Sequence, residues 1–174
     1  IVTESLAILD RDGTAKFSLP RLGRALGADQ TAVYRHFVNK DDLVLAIAER
    51  LFEEAFSGFQ VSSAWTDTLR DVALRVRRTF LLHPSAAALT SARVTSQPAE
   101  MAAADAVIGA FLAAGFPPFD AALYYRVVVD FAMLWNGGEA DFMNLPDETR
   151  VAEQDGWVTA YRGADPRTHP HIDA

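Results

Sequence analysis

Residues 18–43 read SLPRLGRALGADQTAVYRHFVNKDDL, and the reading of this stretch decides the fold. Ser18 carries a hydroxyl suited to capping a helix start, and Pro20 is tolerated in a first turn, where its missing N–H is not needed. Leu19, Leu22 and Leu26 recur at three- and four-residue steps on one helix face, and Gly27 supplies the stop. Asp29 can cap a second short helix in which Val33 and Phe37 point inward. Two short helices about a tight glycine turn predict a helix-turn-helix over residues 18–42. Its second helix, Gln30 to Phe37, is a rod sized for a DNA major groove about 12 Å wide. That leaves Gln30, Thr31, Tyr34, Arg35 and His36 outward. Gln can bond adenine edges, Arg can grip guanine, and the Thr and Tyr hydroxyls reach phosphates or bases. Lys40 opens the following helix, where an ammonium and free backbone N–H groups together favour a phosphate. The same spacing also fits a small helical bundle whose turn happens to contain glycine.

Charge favours the DNA reading. The chain carries a formal charge of −7, from 16 Lys/Arg and 23 Asp/Glu. Residues 1–50 hold seven of each sign, so residues 51–174 account for the whole excess. Within residues 14–40, Lys16, Arg21, Arg24, Arg35 and Lys40 stand against Asp29 alone, a local +4. Phosphate attraction acts over about a Debye length, roughly 8–10 Å. A basic strip facing the duplex therefore outweighs an acidic body turned away from it.

Outward from this stretch, almost every segment reads as helix. Val2, Leu6 and Leu9 repeat at helical spacing up to Asp12-Gly13. Asn39 caps a helix with Asp41 and Asp42 in its first turn, where the helix dipole favours carboxylates. Its stripe of Val44, Ile47, Ala48, Leu51 and Ala55 runs to about Phe56. Gln60 to Ala64 is a polar break and the best boundary. Trp65 to about Leu82 is amphipathic, with Leu69, Val72, Val76 and Phe80 inward, and His83-Pro84 ends it. A shorter helix runs to about Arg93, an Ala-rich one spans Pro98 to Ala114, and the most apolar runs from Asp120 to about Met143. That last helix carries two stripes, Leu123, Val127, Phe131 and Leu134 beside Tyr124, Val128, Ala132 and Trp135. Two stripes need two surfaces: the chain's own core and a second copy. Beyond Pro146 lie scattered anchors at Val151, Trp157, Val158 and Tyr161, then a loop. The expected fold class is all-α.

Several function classes drop out. Half of the residues are hydrophobic and none is cysteine, so a sizeable core is expected without disulfides or thiolate zinc sites. No apolar run approaches the roughly 18 residues that span a bilayer, and the expected compartment is the cytoplasm. There is no Gly-rich phosphate loop, nucleophile elbow or HExxH motif, so neither catalysis nor a cofactor is expected. His169 and His171 lack a third metal ligand. His83 reads as a helix-ending residue, and Arg126 with Asp130, four apart, as an ion pair that can set dimer register.

The stretch 18–43, together with Leu9-Asp10-Arg11-Asp12-Gly13, closely resembles the DNA-binding domain of the TetR family of transcriptional repressors. Trp65 through the Ala114-Gly115-Phe116 turn to Pro170-His171-Ile172 is similar to the family's tetracycline-repressor-type C-terminal domain. The resemblance implies a helix-turn-helix domain over 1–45, a linking helix to about 59, and a ligand-binding and dimerisation domain over 60–174. It implies a homodimeric repressor that leaves double-stranded operator DNA when a small molecule binds. Gln30, Thr31, Tyr34, Arg35, His36 and Lys40 match family DNA-contact positions, and Ser18 a phosphate-contact position. Pro20 stands where the tetracycline repressor has a base-reading arginine, so the operator does not transfer.

In the tetracycline repressors, polar residues hold a drug and its metal ion. The matching positions here are Phe56, Val72, Val76, Thr90, Val94 and Thr95, which favour an apolar or aromatic effector without a metal, with Thr90, Arg93 or Tyr124 to orient it. The candidate pocket residues are Phe56, Val72, Val76, Phe80, Thr90, Arg93, Phe111, Leu123, Val127 and Phe131. The family's C-terminal domain also ends in a further long helix, which is not found up to Ala174, and a basic arm precedes its first helix. The expectation is that these 174 residues belong to a longer chain.

Overall fold

Local signals set the helix ends. Asn39 accepts a hydrogen bond from the Asp42 amide at 2.9 Å, and Asp42 in return accepts from the Val38 amide at 3.0 Å, which fixes the start of the connecting helix. Gly27 takes φ +63°, a left-handed turn that a side chain would strain. Prolines occupy the first turns of four other helices, where they cost no hydrogen bond.

The computed structural model describes residues 1–28 and 33–172. Its helices are α1 (Val2–Asp12), α2 (Leu19–Ala25), α3 (Lys40–Ala55), α4 (Trp65–Leu82), α5 (Pro84–Thr90), α6 (Pro98–Ala113), α7 (Pro118–Met143) and α8 (Asp147–Arg162). Among the described residues there is no strand, and the all-α expectation holds. Two boundaries differ from the sequence reading. α5 stops at Thr90, whose hydroxyl turns back to the Ala86 carbonyl at 2.9 Å, a local bond that competes with helix continuation. Beyond Pro146 the scattered anchors lie on a full helix, α8, none of whose residues is buried.

The connecting helix α3 packs on α1, α4, α5 and α6, and α7 packs on α4, α5 and α6. One apolar cluster runs from Leu9, Leu22, Val33, Leu43 and Ile47 through Leu51 to Val76, Phe80 and Ala87. It crosses the polar break at residues 60–64, so the N-terminal helices rest on the base of the helical body. A second cluster at the far end centres on Val107, Phe111 and Ala121, with Trp65, Leu69 and Phe116 against it.

Close approach of α5 to α7 depends on Gly137. A Cβ there would lie 2.6 Å from both Cβ and Oγ of Ser91, whereas Gly138 faces open space. Alanine has a higher helix propensity than glycine by about 0.8–1 kcal/mol, but overpacking costs about 1–3 kcal/mol. Urea unfolding of Gly137→Ala should therefore show anything from no gain to a net loss of about 2 kcal/mol, and Gly138→Ala a gain of up to about 1 kcal/mol. Equal effects at the two positions would argue against the contact.

Candidate nucleic-acid interface and ligand cavity

The N-terminal surface is built on a buried base. Leu19 and Leu22 of α2, Val33, and Leu43 and Ile47 of α3 are buried in the same cluster, with Phe37 packed against it. Holding Val33 down turns its neighbours out. Tyr34, Arg35 and His36 are exposed, with the His36 and Phe37 amides bonded to the Val33 carbonyl at 3.0 and 3.1 Å. Gln30 and Thr31, and the Asp29 cap, lie outside the described residues. Ser18 occupies the N-cap position of α2, but its hydroxyl makes no capping bond and is exposed.

Lys40 is exposed at the first turn of α3, its ammonium 5.7 Å from the centre of the Phe17 ring, an attraction that orients it. Arg21 is tied to Asp12 at 2.7 Å, which fastens α2 to the end of α1. Hydrogen bonds from Arg11 and then Arg21 hold the Asp12 carboxyl below the usual carboxylate range.

The body contains a cavity of about 400 Å³ between α3, α4, α6 and α7. Phe52 and Phe56 close one side, Val72 and Val76 line another, and Val107, Val128 and Met133 face them. Of the ten pocket residues expected from sequence, Phe56, Val72, Val76 and Arg93 are in this wall. Six are placed elsewhere. Phe80 is buried in the main cluster, and Thr90 is buried with its hydroxyl spent on Ala86. Phe111 is packed behind the cavity against Trp65, Phe116 and Tyr124 at ring separations of 5.4–6.0 Å. Leu123, Val127 and Phe131 point outward with Leu134 and Trp135, Phe131 being 67% exposed.

The helix phase thus puts Tyr125, Val128, Val129 and Met133 into the cavity. Tyr124, one of the three expected orienting groups, packs on Phe111 and Phe116 instead. Tyr125 was missed because α7 is apolar on both sides and nothing local marks the inner one. Burial, with the Glu100 carboxylate adding, raises the Tyr125 hydroxyl above its ordinary pKa, so it stays a neutral donor. Of the other expected family-matching positions, Val94 is at the rim and Thr95 is bonded to Glu100 at 2.6 Å.

Polar groups from the cavity walls and the helices around them hold α3 along its length. At its start, Arg93 donates to Asp41 at 3.1 Å. Midway, the Glu49 carboxylate accepts from the Ala99 amide at 2.6 Å and the Glu100 amide at 3.4 Å, capping α6 from outside. At its end, Arg75 donates to the Ala55 and Ser57 carbonyls at 3.3 and 3.0 Å. His83, beyond ending α4, lies between Asp10 of α1 at 2.8 Å and Glu54 of α3 at 3.3 Å. The expected pair Arg126–Asp130 is present at 2.7 Å.

An N-terminal helix-turn-helix joined by one held helix to a hollow helical body defines a class of regulator fold. Residues 1–47 match the bacterial regulatory proteins of the tetR family, and residues 60–161 match the tetracyclin repressor-like C-terminal domain. The chain belongs to the TetR family. An HTH-type transcriptional regulator of Saccharopolyspora erythraea is 34% identical over 116 residues, 67% of this chain and 49% of that protein. The chain therefore spans about half the length of that relative. Among solved structures, BioQ with its natural double-stranded DNA operator aligns at TM-score 0.73 and 25% identity, over 93% of each chain. ActR of Streptomyces coelicolor, in complex with (S)-DNPA, aligns at TM-score 0.80 and 20% identity, over 98% of this chain and 80% of that one. The family consists of regulatory proteins and the Saccharopolyspora erythraea relative is a transcriptional regulator, not an enzyme. No helix among the described residues is long and apolar enough to cross a membrane.

Proposed function

We propose that this chain is a cytoplasmic, DNA-binding transcriptional repressor that works as a homodimer and leaves its operator when a small apolar or aromatic molecule fills the body cavity. The observation that carries this reading is the division at Val33. That residue is buried while Tyr34, Arg35 and His36 stand exposed in a strip of local charge +4, within a chain of this family. The operator bound by BioQ, a relative in fold and at 25% identity, supports it.

In this reading residues 1–45 are the reader, α3 links it to the body to about residue 59, and residues 60–174 bind effector and partner. Gln30, Thr31, Tyr34, Arg35 and His36 face bases and nearby phosphates, while Ser18 and Lys40 contact the backbone. The outward face of α7, with Leu123, Val127, Phe131 and Trp135, meets its copy. Two half-sites must then be met at once, about a helical turn or a multiple apart. A shift of α3, tied to the cavity wall through Arg93, changes that spacing. A coupling of roughly 1–3 kcal/mol between effector and DNA is typical of such linkage.

Selection of bound duplexes from a random pool, with and without hydrophobic small molecules, tests the reading. Recovery of a two-fold-related sequence whose retention falls with one class of compound is expected. Enrichment of no sequence would reject it. Lys40→Ala should weaken binding to all duplexes alike and lower the salt slope by about one unit per protomer. A sequence-dependent loss in a mobility-shift assay would instead put Lys40 on a base.

A further inference from the structure

Resting on the reading of the cavity as an effector site, we propose that the effector is a small apolar acid whose carboxylate acts by drawing the Arg93 guanidinium away from Asp41. The cavity wall carries four charged side chains: Arg93, Glu100, Arg126 and Asp130. Three are already committed. The Glu100 carboxylate accepts from the Thr95 amide, the Thr95 hydroxyl and the Ser96 amide at 2.5, 2.6 and 2.8 Å. Arg126 donates to Asp130 at 2.7 Å.

Arg93 differs. Among the described residues its guanidinium makes one hydrogen bond, from Nη1 to Asp41 at 3.1 Å, as Arg126 makes one to Asp130, but the Arg93 side chain is 35% exposed against 68% for Arg126. Asp41 is not part of the cavity wall, and its side chain is 74% exposed. An ion pair so open to water is weak, and it leaves most of the five guanidinium donors unused. A carboxylate entering between Val72, Val76 and Val128 meets the same cation where water is scarcer, and can engage two N–H groups in parallel. The neutral Tyr125 hydroxyl in the same wall supplies a further donor.

The consequence reaches the DNA-facing end of α3. Asp41 is the second residue of that helix, next to Lys40. Once Arg93 turns to the ligand, the Asp41 carboxylate is left without its cation one residue along the chain from Lys40, and over about a Debye length the positive potential offered to a phosphate falls. One side chain thereby converts a charge in the cavity into a charge at the reader. A neutral molecule of the same shape fills the cavity and leaves the Arg93–Asp41 latch closed.

Calorimetric titration of the chain with naphthylacetate, phenylacetate and octanoate, each beside its primary amide, tests this. At least one acid should bind about tenfold or more tightly than its amide. Arg93→Gln should erase that preference, with an unchanged urea unfolding midpoint reporting an intact fold. Asp41→Asn frees Arg93, so by reciprocity it should tighten the acid about two- to fivefold and leave the amide unaffected. Equal binding of every acid and its amide, or a preference that survives Arg93→Gln, overturns the proposal and leaves the cavity as a site for neutral effectors. Unchanged acid affinity in Asp41→Asn overturns the latch. Binding of no compound of either kind rejects the effector-cavity reading itself, and the proposal with it.

Discussion

Arg35→Ala is expected to lower affinity for the selected operator by roughly 30-fold to more than 10⁴-fold, while binding to unrelated duplex changes by less than about tenfold. A bidentate arginine–guanine pair discriminates by about 1–3 kcal/mol, and a dimer on two half-sites makes the contact twice, so about 2–6 kcal/mol is at stake. The loss is not one of folding. Arg35 is exposed, and the base beneath it is made by Val33, Leu22, Leu43 and Ile47, which the substitution leaves in place. Mobility shifts against the selected and a scrambled duplex separate the outcomes. An equal loss on both would make Arg35 a phosphate contact like Lys40 and move the reading face elsewhere.

Phe111→Ala carries the second large effect, a loss of about 3–5 kcal/mol of stability. The ring is 4% exposed and lies among Trp65, Phe116 and Tyr124, where it is the shared member of a small cluster with Val107 and Ala121. Removing it opens a void that one aromatic neighbour cannot fill, because each of the three is already packed edge-on or tilted against it. Typical domains have about 5–15 kcal/mol in all, so the variant should unfold at markedly lower urea, followed by Trp65 fluorescence. Phe111→Leu, which keeps much of the volume, should cost less and leave ligand affinity unchanged, since Phe111 is not in the cavity wall. If Phe111→Leu weakened ligand binding without a loss of stability, the ring would belong to the site.

The contrast between these two residues shows where sequence reasoning ended. The outward place of Arg35 is legible because the segment around it is one-sided. Val33 and Phe37 are its only large apolar anchors, so the outward set follows from helical spacing. Phe111 was expected in the pocket because an aromatic in an apolar helix packs equally well against a ligand or against other rings. α7 posed the same problem on a larger scale. Leu123, Val127 and Phe131 form as good a stripe as Tyr125, Val128 and Met133, and only the position of α4 and α6 decides which stripe faces in.

By itself, the sequence determined the N-terminal helix-turn-helix class, the all-helical fold and most helix ends among the described residues. Caps, prolines and glycines act within a few residues of themselves, so Asn39, Pro98 and Gly27 need no partner to be read. Tertiary structure alone decided the cavity wall, the outward face of α7, and the ties that Arg93, Glu49, Arg75 and His83 make to or from α3. Those depend on pairs such as Arg93 with Asp41 and His83 with Glu54, separated by 52 and 29 residues. No local periodicity encodes a distance of that kind; it exists only once the helices are packed.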